Sequence, residues 1–156
     1  MLKELLDQNR VIFRESLPTW QEAIREAAGP LLADGAIEPA YVDAMIDCVN
    51  EYGPYIVIAP NLAIPHARSD KGVNRTAIAM MKVEQPVHFG DTPDLDARLF
   101  FVLASVGKDA HVPMLQSLVM ALSEETILDD LMNARSLEDV AAIAARTDAA
   151  SPSALV

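Results

Sequence analysis

Between Arg98 and Ser105 every residue is apolar: Leu99-Phe100-Phe101-Val102-Leu103-Ala104. Successive side chains of a β-strand point to opposite faces, so a strand made from this run is greasy on both and must be covered on both. It belongs at the centre of a sheet with helices on either side. Two other β-rich runs can stand beside it: Tyr55–Ala59, bounded by Pro54 and Pro60, and Thr76–Val83. Glu84 to Ala97 holds prolines, a glycine and four acidic residues, and reads as an excursion loop between the last two strands.

Helical patterns bracket these strands. Thr19-Trp20-Gln21-Glu22 reads as a capping box, followed by Ala23, Ile24, Ala27, Ala28 and Leu31 at the spacing of one buried face. A second helix begins near Pro39, buries Val42, Met45, Ile46 and Val49, and stops at Gly53-Pro54. After the last strand, Val106 to Asp109 forms a turn. A helix then starts at about Val112, with Pro113 in its first turn, where the missing N–H costs nothing. Ser123 and Ser136 read as N-caps of two more helices. The expected architecture is α/β: one domain over residues 1–146, a mixed β-sheet flanked by helices on both faces, then a flexible tail over 147–156.

Composition narrows the function. A formal net charge of -11 argues against a general nucleic-acid binder, since phosphate backbones reward clustered Lys and Arg. The single cysteine, Cys48, cannot form an internal disulfide, which suits a reducing cytoplasm, and it reads as a small core residue on the second helix. No apolar run reaches the ~18 residues a membrane span needs, and no signal-peptide pattern opens the chain. No Walker loop, dinucleotide fingerprint or metal-ligand spacing is present, so neither cofactor nor metal is expected.

The chemistry-bearing stretch is Asn61-Leu62-Ala63-Ile64-Pro65-His66-Ala67-Arg68. Proline fixes its own φ and biases Ile64 toward extended backbone, so His66 should project from a stiff support at the end of an apolar segment. A guanidinium two residues on, Arg68, can grip a phosphate through two parallel bonds. His111 stands just ahead of a predicted helix, whose N-terminal N–H groups and dipole favour an anion; it serves equally well as a simple helix-start residue. His88 reads as a surface loop residue, Arg75 as a salt-bridge partner, and Asp91, Asp94 and Asp96 as a solvated acidic loop. In a layered sheet neighbouring strand ends lie together, so His66 and His111 can meet at one edge.

Four motifs occur in order: Ala63-Ile64-Pro65-His66 after an apolar strand, Val87-x-Phe89-Gly90-Asp91, Leu99 to Ala104, and His111-x-x-x-Leu115-x-x-Leu118. Together they resemble the EIIA component of the bacterial phosphoenolpyruvate-dependent sugar phosphotransferase system, in the mannitol/fructose superfamily. The segment Gly53 to Asn61 looks closest to the ascorbate-specific branch. The resemblance covers Trp20 to Ile143. It implies a phosphocarrier that accepts a phosphoryl group from the protein HPr on Nε2 of His66, with His111 hydrogen-bonding that group. It also implies onward transfer to a cysteine of an EIIB domain, which serves a membrane EIIC; Cys48 is not that cysteine. Mannitol-type relatives carry an arginine sixteen positions before the active histidine, where this chain has Asn50. Two alternatives remain open: a regulatory module phosphorylated at His66, and a metal-dependent hydrolase using His66, His111 and an aspartate.

Overall fold

A computed structural model describes residues 2–150; the side chains of residues 69, 108–111, 125 and 147–150 lie outside that description. The elements run α1 (Leu2–Asp7), β1 (Val11–Arg14), α2 (Trp20–Ala33), α3 (Pro39–Tyr52), β2 (Val57–Ala59), β3 (Asn61–Ala63), β4 (Ala77–His88), β5 (Asp96–Ala104), α4 (Lys108–Leu122), α5 (Glu125–Asn133) and α6 (Leu137–Ala150). Strand order is β1-β4-β5-β3-β2, which puts the all-apolar run at the centre. The sheet is mixed: β1–β4 and β3–β5 are parallel, β4–β5 and β2–β3 antiparallel.

Alternation along β5 explains its composition. Phe100 and Val102 join Ile24, Leu31 and Met45 in a core under α2 and α3. Leu99, Phe101 and Leu103 join Leu5, Leu118, Leu131 and Val140 in a second core under α1, α4, α5 and α6. Each of these fully buried large side chains contributes about 1.5–3 kcal/mol of transfer free energy. No helix among the described residues is long and apolar enough to cross a membrane.

Several expectations need correction. The lead-in before Thr19 contains a strand, β1, paired in parallel to Met80–Val83. Of the expected strand Tyr55–Ala59, Val57–Ala59 forms β2; the chain then turns at Pro60-Asn61, with Asn61 in the left-handed region at φ 71, and an unforeseen β3 returns beside it. Asparagine tolerates that conformation better than other non-glycine residues. Glu84 to His88 belongs to β4, and the loop is confined to the few residues around Pro93–Leu95. The ladder slips between Lys82↔Leu99 and Val87↔Ala97, and this bulge accommodates Pro86.

Helix boundaries shift as well. α4 begins at Lys108, so His111 lies within its first turn. Ser123 is the C-cap of α4, its hydroxyl donating to the Met120 carbonyl, and Glu124 takes the N-cap position of α5. Thr19 and Ser136 do cap, accepting from the N–H of Glu22 and Asp139 at 3.2 Å each. α6 continues to Ala150, so the first four residues expected as tail are helical; residues 151–156 lie outside the described residues.

Candidate active site

The segment 64–67 leaves β3 without entering a regular element, yet its backbone is tied down at four points. Ile64 N–H donates to the Ile56 carbonyl at 2.8 Å, and Leu103 N–H donates to the Pro65 carbonyl at 3.0 Å. The Tyr55 hydroxyl donates to the His66 carbonyl at 2.8 Å. Ala67 N–H donates to the Tyr41 hydroxyl at 3.1 Å, and that hydroxyl donates to the Leu103 carbonyl at 2.7 Å. Tyr41 is fully buried, and burial pushes its phenol up to about 12, so it stays a donor at any physiological pH. An irregular loop thus acquires the rigidity of the central strand it leans on.

The imidazole of His66 is fixed from both sides. Its Nδ1 lies 2.6 Å from the Ile64 carbonyl, which can only accept, so Nδ1 carries the proton and the neutral ring has its lone pair on Nε2. The Tyr55 ring stands at 87° to it with centroids 5.2 Å apart. Gly53 sets up this contact: at φ 86 it ends α3, where an L-side chain would be strained, and swings the chain back over the histidine. Burial, and then the neighbouring Cys48, push the Tyr55 phenol well above its ordinary value.

His66 opens into a cleft of 1090 Å³. One wall is the outer face of α3, where Asp43, Asp47 and Glu51 recur every four residues, with Cys48 and Tyr52 beside them. Arg68, Asp70 and Lys71, and Val112 from near the start of α4, also line the cleft. Among the described residues no group of three or more His, Cys, Asp or Glu side chains could hold a metal ion.

A half-buried imidazole of fixed tautomer, set in an open acidic cleft on a braced backbone, is suited to carrying a group between macromolecules. Comparison with known proteins gives that arrangement a lineage. The family described as "Phosphoenolpyruvate-dependent sugar phosphotransferase system, EIIA 2" matches residues 4–146. The chain belongs to this family. It is 31% identical over 147 residues to the ascorbate-specific PTS system EIIA component of Salmonella choleraesuis (strain SC-B67), covering 94% of this chain and 96% of that protein. Its fold matches the mannitol-specific cryptic phosphotransferase enzyme IIA CmtB of Escherichia coli with a TM-score of 0.82 at 32% identity, over 93% of this chain and 98% of the other. A further solved relative is enzyme IIA-Mtl of Escherichia coli, in complex with phosphorylated enzyme IIB-Mtl. There the TM-score is 0.74 at 27% identity, over 88% of this chain and 94% of that one.

In this EIIA the sequence-predicted residues fall in three groups. His66 and Arg68 line the cleft together. Val112, the fifth residue of α4, lines the same cleft; the side chain of its neighbour His111 lies outside the described residues. His88 sits elsewhere, at the end of β4, with Nδ1 2.6 Å from Asp96 Oδ1. Arg75 bonds the Asp34 carbonyl at the end of α2, away from the cleft. Asn50 is exposed on α3 and is not a cleft-lining residue, while Cys48, half-buried, packs against the core as expected and also lines the cleft. Sequence reasoning missed Tyr41 and Tyr55. The available signal was a tyrosine on an otherwise apolar helix face, since a buried hydroxyl must find a partner.

Proposed function

We propose that the protein is a cytoplasmic phosphocarrier of a sugar phosphotransferase system, taking a phosphoryl group from HPr on Nε2 of His66 and passing it to an EIIB cysteine. The observation that carries this reading is the 2.6 Å contact between His66 Nδ1 and the Ile64 carbonyl. It supports Nε2 as the nucleophilic nitrogen. The Nε2 lone pair attacks phosphorus while the donor imidazole leaves with the electrons of its own P–N bond. The Nδ1 proton stays in place, and the Ile64 carbonyl stabilises the positive charge the ring acquires. In the second step the EIIB thiolate attacks phosphorus and the pair returns to Nε2. Both ends of the first step are imidazoles, so catalysis reduces to alignment and charge stabilisation of a loose transition state.

His111 is assigned the role of hydrogen-bonding the phosphoryl group, supported by its place in the first turn of α4, where unbonded N–H groups favour an anion. Arg68 is assigned phosphate contact. Its present partner is Asp70 at 3.1 Å, with the two side chains 70% and 54% exposed, so release costs less than about 1 kcal/mol. The acidic face of α3 complements a basic partner surface and speeds its encounter. The 31% identity to an ascorbate-specific component favours an ascorbate-type sugar, with a membrane EIIC served through EIIB. Incubation with labelled phosphoenolpyruvate, Enzyme I and HPr, followed by alkaline-quench mass spectrometry, tests the reading. Label is expected on His66 and absent from His66→Ala, with His111→Ala still labelled but slow in onward transfer. Full labelling of His66→Ala removes the proposal.

A further inference from the structure

We propose that Tyr55 is a positioning residue for phosphoryl transfer, holding the His66 imidazole in its attacking orientation; this rests on the reading of His66 as the phosphoryl acceptor. The torsion that swings an imidazole about its Cβ–Cγ bond is broad and two-fold, so one hydrogen bond at Nδ1 leaves the ring a pivot. Tyr55 acts on both parts of that pivot. Its hydroxyl holds the His66 carbonyl at 2.8 Å, fixing the peptide from which the ring springs. Its ring, perpendicular to the imidazole at 5.2 Å between centroids, blocks the swing that would break the Nδ1 contact with Ile64. The hydroxyl stays protonated, and so keeps donating, across the working pH range. Tyr52, three residues earlier, lines the same cleft but is 70% exposed, and it provides an internal comparison.

The two tyrosines should separate in kinetics. With HPr as the varied donor, Tyr55→Phe should lower kcat roughly three- to tenfold with KM unchanged, the size expected for one net hydrogen bond. Tyr55→Ala should lower kcat further, roughly ten- to a hundredfold, as the aromatic contact goes as well. Tyr52→Ala should raise KM and leave kcat alone. In ¹⁵N spectra of the His66 ring, Tyr55→Ala should weaken the Nδ1–H signal seen in the parent protein, and Tyr55→Phe should largely restore it. That readout does not move if Tyr55 only stabilises the fold. Wild-type kcat in both Tyr55 variants, or an unchanged ring spectrum in Tyr55→Ala, overturns the proposal. If the parent protein accepts no phosphoryl group from HPr, the reading of His66 itself has failed, a result distinct from either.

Discussion

Two histidines in this molecule have the same first contact and opposite settings. His66 and His88 each place Nδ1 2.6 Å from an oxygen, but for His66 the acceptor is a backbone carbonyl and for His88 it is the Asp96 carboxylate. The backbone around His66 is held through neutral groups: hydroxyls, carbonyls and amides of Tyr41, Tyr55, Pro65, Ala67 and Leu103. The far end of the β4–β5 pair, where His88 sits 73% exposed beside Asp96, carries the ion pairs of Lys82 with Glu84 and of Arg98 with Glu84. Neutral ties hold a geometry without competing for an incoming anion and are indifferent to salt. Ionic ties are screened by salt and undone by acid.

The largest effect should come from exchanging the two roles. His66→Ala is expected to lose phosphoryl labelling completely, whereas His88→Ala should be labelled at the parent rate and melt within a few degrees of it. Site-mapped mass spectrometry and thermal unfolding check both. Equal loss in the two variants would erase the contrast between the settings.

Next in size is the neutral brace itself. Tyr41→Phe keeps the ring in the core and removes the hydroxyl that joins Ala67 to Leu103, leaving a buried carbonyl and amide without that partner. The expected cost is about 1–3 kcal/mol of unfolding free energy. It should be nearly independent of salt in urea titrations, with slower labelling of His66. A loss that shrinks sharply in high salt would show that the brace depends on charge after all.

How much of this was readable beforehand divides along the same line. Strongly patterned stretches were legible: the faces of α2 and α3, the central position of β5, and the stiff Pro65-His66 step at the end of an apolar segment. β1 was not, because four residues of mixed exposure on a sheet edge carry too short a pattern. The fold-back at Asn61 lies just past the expected strand Tyr55–Ala59, where Pro60 reads only as a terminator, and the extension of β4 was masked by Pro86, which the bulge accommodates. The His66 segment and its proline-imposed stiffness were visible, but the long-range bonds that tie it down were not. Tyr41 lies 26 positions from Ala67 and 62 from Leu103, and no local pattern encodes a bond across that separation.

At the ionic end, Lys82→Met should produce an effect that depends on acid. Lys82 is buried, donating to Glu84 at 2.7 Å and to the Ala134 carbonyl, the C-cap of α5, at 2.8 Å. The bond from Lys82 holds the Glu84 carboxyl below its usual value of 4.5, assisted by the charges of Lys82 and Arg98. A carboxyl lowered in the folded state contributes stability above its unfolded pKa, and that contribution is lost as pH falls through the folded one. The parent should therefore lose stability on acidification below about pH 4.5 more steeply than the variant. At neutral pH the variant should be weaker by roughly 1–3 kcal/mol, from the lost bonds to Ala134 and Glu84 together. Denaturant titrations over pH 3–7 check this, and parallel pH profiles would separate Glu84 from Lys82.

The smallest effect isolates charge from geometry at His88. Asp96→Asn keeps an oxygen able to accept from Nδ1–H and removes only the negative charge, so any change measures the Coulombic part of the pair. With the His88 side chain 73% exposed and that of Asp96 17%, the pair sits close to solvent, where such terms amount to less than about 1 kcal/mol and fade within a Debye length. The expected outcome is a stability change below about 0.5 kcal/mol in low salt that vanishes near 1 M, with labelling of His66 unaltered. The equivalent experiment cannot be done at His66, whose acceptor is a main-chain carbonyl that no side-chain substitution removes. That difference is itself instructive: the contact that sets the His66 tautomer belongs to the backbone, where only the braces around it can be altered by mutation.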